Sequence, residues 1–317
     1  MTILKKIIAK LGSLSLVSGL FAASAFATNA VYAQDEAERP FEGEHVTVGV
    51  VGDAGEQVWE AVAEVALEQE GIEIEVVLLT DYNQPNEALN NGSLDINSFQ
   101  HVAFLNDWNS ANDADLTYIG YTSVNPLGLY SEKYTDLSEL PEEGAIIAIP
   151  NDPTNGGRAL LALEIAGFIE LDDAAGVLPT PDDITDNPQG IVIEELEASQ
   201  ISLALPDVDA AFINTGFAND AGLTLEDAIF FDAEDVETLN EVYKNIIAVR
   251  AEDKENPLYL KLVEIYQTPE TAALIVETSN GGSIPAWDGA ADYADEESDA
   301  ETTEEESTET DSETDTE

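Results

Sequence analysis

The sequence predicts an α/β protein with a parallel sheet at its core and two lobes. Three observations carry this expectation. His45 to Gly52 (HVTVGVVG) alternates apolar and small residues as a strand does, Ala54 to Glu70 repeats apolar residues at helical spacing, and Ile72 to Leu79 is a second strand. Strand, helix and strand in that order make a βαβ unit, whose two strands run parallel. Within the second strand, Val76 to Leu79 is an unbroken apolar run, the mark of a strand covered on both faces. Finally, two further strand-like segments, Leu116 to Tyr130 and Tyr243 to Val249, read as crossings between two α/β units. A body of about 250 residues is long enough to carry two cores.

Taken in order, the chain begins with Lys5, Lys6 and Lys10, followed by a stretch from Leu11 to Ala27 that is apolar but diluted by Ser and Gly. With Val31-Tyr32-Ala33 before Gln34, residues 1–33 have the layout of a secretory signal. An uncleaved anchor is the competing reading, and the short, Ser-rich apolar region disfavours it. Residues 34–44 are polar and acidic, a linker by composition. The first helix carries Val58, Val62, Val65 and Ala66 on one face, and Gly71 closes it.

After the second strand, Thr80 to Leu105 (TDYNQPNEALNNGSLDINSFQHVAFL) alternates short elements. Pro85 suits the first turn of a helix that Asn91-Gly92 ends. Phe99, His101 and Phe104 follow a short strand and lead into another helix. In open α/β sheets ligands sit at the carboxyl ends of the strands, where these three residues fall. Asn125-Pro126 interrupts the segment from Leu116 to Tyr130, and Ala145 to Ile149 is a short buried strand. Pro153, Asn155, Gly156 and Gly157 read as a loop opening into a helix from Arg158. Residues 171–190 are rich in Asp and Pro and look irregular. Ile191 to Leu196 and Ile201 to Leu205 are short apolar segments, Asp209 to Asn214 is a strand, and Asn256 to Thr278 is helical with a break at Pro269. The acidic stretch at 235–242 suggests no function. These boundaries give one lobe from 45–125 plus 246–287, a second from 126–245, and an Asp/Glu/Ser/Thr tail at 288–317 that cannot bury enough apolar surface to order itself.

The chain contains 66 acidic residues against 10 basic ones, a formal charge of −56. Nucleic acid is excluded as a partner, because phosphate contacts need clustered Lys and Arg. An anionic membrane surface would repel the chain too. Two explanations compete for the acidity. One is a salt-rich habitat, where the Debye length shrinks to about 3 Å at 1 M and screens the repulsion; the other is solubility. With no cysteine in the sequence, disulfides and thiol chemistry are excluded.

Catalytic chemistry is poorly supplied. There are two histidines, no G-x-S-x-G and no HExxH, and neither Gly49-Val50-Val51-Gly52 nor Asn155-Gly156-Gly157 has the spacing of a phosphate loop. No catalytic residue, metal site or cofactor is assigned, and acidic pairs such as Asp172-Asp173 read as a solvated face. Arg158 is the sharper candidate, the only arginine between Arg39 and Arg250. Its guanidinium can hold a carboxylate through two parallel hydrogen bonds, and a helix start beside it would add positive potential. A salt bridge to a neighbouring acid is the competing reading. His101, flanked by Phe99 and Phe104, is either a packed histidine or part of an aromatic wall that suits a flat or thioether side chain.

The segment DYNQPNEALNNGSLDINSFQH resembles the DYxxPNxAL…G…D.N.FQH signature of the methionine-binding lipoproteins, the solute receptors of methionine ABC importers. PNDPTNGGRALLALE, DAAFINTGFA, NIIAVRAEDKENP and GGSIPAW extend the resemblance over roughly residues 45–287. It implies a two-lobe fold of the type II periplasmic-binding-protein kind, with the ligand cleft between the lobes and hinge closure around the ligand. It further implies an extracytoplasmic, monomeric receptor, not an enzyme, that delivers methionine to an ABC permease and its ATPase. Tyr82 would join Phe99, His101 and Phe104 around the methionine side chain, while Asn155, Arg158, Asn214 and Asn245 would bind its amino and carboxylate groups. This chain departs from the family where Phe104 and Phe217 replace tyrosines, and where no cysteine is available for lipidation. Another small apolar amino acid or a methionine-containing dipeptide is an alternative ligand, and an exported amino-acid-processing enzyme is an alternative class.

Overall fold

The computed structural model describes residues 39–232 and 240–290. The expected signal at 1–33, the tail from residue 291 and most of the acidic stretch at 235–242 lie outside the described residues.

The chain begins with β1 (His45–Val51), α1 (Asp53–Glu70) and β2 (Glu73–Leu79). α1 buries Val58, Trp59, Val62 and Ala66, one stripe along the helix, and Gly71 ends it in the left-handed conformation at φ 73°. β1 and β2 pair in parallel, so the βαβ unit forms as expected. α2 (Gln84–Asn90), the two-residue β3 (Ile96–Asn97) and α3 (Val102–Asn112) follow, then β4 (Thr117–Val124) and β5 (Gly128–Tyr130) on either side of Asn125-Pro126-Leu127. Next come β6 (Ile146–Pro150), α4 (Pro153–Ile165), the small β7 (Glu170–Leu171) and β8 (Ile184–Asp186), then β9 (Val192–Leu196), α5 (Ile201–Ala204) and β10 (Ala210–Ile213). α6 (Thr215–Asp220), β11 (Ala228–Phe231), β12 (Lys244–Val249), α7 (Pro257–Tyr266), α8 (Pro269–Thr278) and β13 (Ile284–Pro285) complete the described chain.

Two main sheets result. One runs β13-β4-β12-β3-β1-β2 and the other β11-β5-β10-β6-β9, with β7 and β8 paired apart. The first therefore draws its strands from residues 45–124 and 244–285, and the second from 128–231. Each sheet is covered on both faces, which follows from the two-residue alternation of strands. Along β12, Ile247 and Val249 pack with Trp59, Val62, Leu262 and Ile275, while Ile246 and Ala248 pack with Leu89, Leu105 and Leu116 on the opposite face. Along β10, Ala210 and Phe212 join Leu160 and Leu163, and Ala211 and Ile213 join Ile201 and Phe217. Burying one side chain of this size contributes about 1.5–3 kcal/mol. Val76 to Leu79, expected to be covered on both faces, instead lies in the edge strand β2, where no residue is fully buried and Leu78 is 40% exposed.

The structure departs from the sequence expectations in several places. The first sheet is mixed rather than parallel, because β12 returns antiparallel to both β3 and β4. Ile201 to Ala204, read from sequence only as a short apolar segment, is helical. The described end of the acidic linker is a packed turn: Phe41 lies against the core, Gly43 N–H donates to Gly71 O, and Arg39 donates to Glu68 O. Composition hid this because a single apolar residue does the packing. Last, Asn155, Gly156 and Gly157 are not a loop; α4 starts at Pro153 and Asp152 caps it by accepting from Thr154 and Asn155 N–H. The glycines serve packing instead. A Cβ on Gly156 would stand 2.5 Å from Pro150 O, and one on Gly157 would stand 3.2 Å from Leu178 Cα.

Candidate functional site

The site lies where β3, β6 and β10 end and their following helices begin. β3 pairs with β1 through Val48–Ile96 and Gly49–Asn97, and Gly49 leaves room for the Leu94 side chain, whose Cδ1 would stand 2.4 Å from a Cβ there. The chain then turns through Phe99, Gln100 and His101 into α3. β12 holds this turn: Ile246 N–H donates to Gln100 O at 3.0 Å, and His101 bridges to Asn245. Beneath it, three buried amides lock the turn to α2. Asn86 Nδ2 donates to Gln100 Oε1 at 2.7 Å, Gln100 Nε2 to Asn97 Oδ1 at 2.9 Å, and Asn97 Nδ2 to Asn86 Oδ1 at 2.9 Å.

The aromatic wall forms from residues far apart in sequence. The Tyr82 ring sits 5.7 Å from Phe99, 5.9 Å from Phe104 and 4.9 Å from Phe217, and Phe99 meets Phe104 edge-on at 5.8 Å. These are offset and T-shaped pairs, the arrangements ring quadrupoles favour. Burial, helped by the Asp152 and Asp220 carboxylates, pushes the Tyr82 phenol well above its usual range, so it stays protonated.

The tautomer of His101 follows from its role as the cap of α3. Its Nδ1 accepts from Phe104 N–H at 3.0 Å, so the proton sits on Nε2, which donates to Asn155 Oδ1 at 3.3 Å. Burial, and next the Arg158 charge, push the imidazole down to about 4, against the Asn155 hydrogen bond; His101 is neutral at neutral pH. Asn155 is fixed in turn by Asp152, to which its Nδ2 donates at 3.0 and 3.1 Å. Its Oδ1 also accepts from Asn214 Nδ2 at 2.9 Å. Asn214 Oδ1 is cut off from solvent and has no hydrogen-bond partner among the described residues.

Arg158 is 5% exposed and held from three directions. Nε pairs with Asp232, Nη2 donates to Asn125 O at 2.8 Å, and the guanidinium carbon lies 4.5 Å over the Tyr243 ring. Asp232 is itself anchored by Leu127 N–H at 2.8 Å. Nη1 donates to none of the described residues. The competing reading of Arg158, a salt bridge to an acid, is therefore observed, and the residue also lines the cleft. The positive helix end expected beside it is absent, because Arg158 is a turn inside α4 and Asp152 occupies that end.

A cleft of ≈ 470 Å³ collects all eight expected residues, Tyr82, Phe99, His101, Phe104, Asn155, Arg158, Asn214 and Asn245. Sequence reasoning missed Tyr243, Asn125, Gln100, Thr215 and Asp232. Gln100 stands inside the quoted FQH motif and Asn125 in the Asn-Pro break, so both carried a signal; Asp232 is one acid among many and carried none. Among the described residues no cluster of side chains is arranged to hold a metal ion, and no helix is long and apolar enough to cross a membrane.

The NlpA lipoprotein family matches residues 46–287. The chain belongs to this family. Among the NlpA lipoproteins it is similar to the D-methionine-binding lipoprotein MetQ of Salmonella typhimurium strain LT2, 40% identical over 246 residues that cover 77% of this chain and 89% of the relative. Lipoprotein 28 of Escherichia coli strain K12 is 39% identical over 249 residues, 78% of this chain and 89% of the relative. Among solved structures, the methionine binding protein MetQ superposes with a TM-score of 0.73 at 39% identity, covering 77% of this chain and 98% of that one. A nutrient binding protein from Burkholderia cenocepacia bound to methionine gives a TM-score of 0.72 at 41% identity, with 76% and 100% covered. The expected α/β substrate-binding-protein fold is thus observed.

Proposed function

We propose that this NlpA-family chain is an extracytoplasmic solute receptor that binds methionine and delivers it to an ABC permease driven by its ATPase. The observation that carries the reading is a pair of unsatisfied polar groups facing an aromatic wall across one cleft. Arg158 Nη1 donates to none of the described residues and belongs to a fixed guanidinium, suited to an α-carboxylate. Asn214 Oδ1 is a buried acceptor without a partner, suited to an α-ammonium. Tyr82, Phe99 and Phe104 offer ring faces and edges to a thioether, at about 0.3–1.5 kcal/mol per sulfur contact. The neutral His101 is consistent with a ligand whose side chain bears no charge. Two relatives add support, the structure bound to methionine and that of the substrate binding protein of a methionine transporter from Streptococcus pneumoniae. In this reading the parts built on the two sheets are lobes, residues 45–125 plus 246–287 and 126–245, which close on the ligand, and the protein acts as a monomer without catalysis. Mass spectrometry of small molecules released from the purified protein, followed by calorimetry with methionine, tests it. Bound, unchanged methionine is expected. Absence of methionine binding, or chemical turnover of an amino acid, overturns the reading.

A further inference from the structure

α1 is the longest helix among the described residues, yet its start lacks a cap of its own. Gly52 occupies the capping position at φ 86° and ψ 148° and has no side chain to accept from the first N–H groups. The acceptor comes from elsewhere: Asp53 N–H donates to Asp220 Oδ1 at 3.0 Å. Asp220 ends α6, on the far side of the cleft from α1. Gly52 also leaves room for it, since a Cβ there would stand 3.4 Å from Asp220 Oδ2. The neighbouring Asn219 makes a second connection, donating to Ser279 O just past α8 at 3.3 Å. Gly282 lets that segment approach, because a Cβ there would meet Thr215 Cγ2 at 2.8 Å.

One short helix therefore carries cleft-lining groups at its start, Asn214 and Thr215, and cross-cleft hydrogen bonds at its end. We infer that Asn219 and Asp220 form a clasp that keeps the cleft closed and sets the ligand residence time without touching the ligand. This rests on the reading of the cleft as a receptor site that opens and closes. The clasp is moderate in strength. Burial raises the Asp220 carboxyl, the Asp53 hydrogen bond lowers it, and the Asp53 carboxylate raises it again. The hydrogen bond is the favourable contribution and the charge is the cost. An uncharged oxygen acceptor at residue 220 should therefore serve as well as the native carboxylate.

The experiment is stopped-flow dissociation of methionine from the full chain and two variants. Asp220→Ala should speed dissociation about three- to tenfold, by the same factor for every amino acid the protein binds, with little change in association. Asp220→Asn keeps an oxygen acceptor and should stay near the wild-type rate. Asp53→Pro removes the donor at a helix position that tolerates proline, and the ψ of Gly52 suits a residue before proline. It should speed dissociation as Asp220→Ala does, and combining the two should add nothing. The ligand-free unfolding midpoint should fall no further in Asp220→Ala than the loss of one helix-capping hydrogen bond gives. Equal dissociation rates in wild type and Asp220→Ala overturn the clasp, as does a loss of ligand-free stability that accounts for the change. Failure of the wild type to bind methionine overturns the receptor reading alone. Small-angle scattering then judges the clasp by itself: Asp220→Ala should be more expanded than Asp220→Asn, and identical radii overturn it.

Discussion

On the six-stranded-sheet side of the cleft, Tyr82, Phe99, His101 and Phe104 present rings; on the five-stranded-sheet side, Asn155, Arg158 and Asn214 present donors and acceptors. The rings are held by shape. They pack on one another and on Phe217, and the turn bearing them is pinned from below by Asn86, Asn97 and Gln100. The polar groups are held by hydrogen bonds that each use up part of their capacity, leaving a donor on Arg158 and an acceptor on Asn214. A buried polar group that lacks a partner costs about 1–3 kcal/mol. The residue kept unsatisfied in a folded protein is thus informative, whereas a packed ring is satisfied with or without ligand. The polar wall should accordingly decide whether an amino acid binds, and the aromatic wall which one.

The largest expected effect is at Arg158. In the proposed site, Arg158→Ala would leave the ligand carboxylate unpaired and Asp232 buried without its partner. Truncating one member of such a pair costs about 2–5 kcal/mol or more. Calorimetry should show methionine affinity reduced at least about a hundredfold, on the scale of tenfold per 1.4 kcal/mol. A folded variant with near-native affinity would remove Arg158 from the site.

Asn214→Leu takes away the lone acceptor and should weaken methionine binding about tenfold, in line with about 1.5 kcal/mol for a hydrogen bond to a charged group. The same substitution should leave 4-(methylthio)butanoate, which lacks the amine, nearly unaffected. An equal loss for both compounds would mean that Asn214 acts only by holding Asn155.

The aromatic wall should show the opposite selectivity. Phe99→Ala and Phe104→Ala should cost methionine about 1 kcal/mol, roughly fivefold, and alanine much less, because only the longer side chain reaches the rings. Parallel titrations with both amino acids check this. If the two affinities fall together, the rings act through folding and the division of labour between the walls fails.

The smallest effect concerns His101, which touches both walls. Its folded-state pKa is depressed to about 4, chiefly by burial, against about 6.5 in an unfolded chain. Its contribution to stability is complete above pH 6.5 and is lost as the pH falls toward 4, because the unfolded chain takes up the proton first. His101→Asn keeps a capping acceptor for Phe104 N–H and removes the titration. The unfolding free energy of wild type minus variant, measured by denaturant titration, should be constant above pH 7 and decline between 6.5 and 4. A flat difference would show that the ring protonates freely in the folded protein.

The contrast between the walls also explains what could be read in advance. Phe99, His101 and Phe104 were legible because they crowd onto one strand-to-helix turn, and such turns bear ligands whatever the lobe arrangement. Arg158 was legible by rarity, being the one arginine in a long acidic stretch. Its surroundings were not legible. The helix start was misplaced because Gly156 and Gly157 look like loop residues, although they permit close approach to Pro150 and Pro179. Tyr243 was assigned to a strand; it lies just before one, with its ring under the Arg158 guanidinium.

By itself, the sequence determined the opening strand–helix–strand unit, the helix ends at Gly71 and Asn91-Gly92, and the exclusion of thiol chemistry. These are matters of local periodicity and residue type, which a chain carries wherever it folds. Its motifs also marked all eight residues now found around the cleft. Only the tertiary structure decided which polar atoms are left without partners, that Asp232 neutralises Arg158, and that Asp220 completes α1 from across the cleft. Those pairings join residues distant in the chain. With 66 carboxylates to choose from, no pattern of spacing says which one meets a given guanidinium or helix end; the packing of the two sheets does.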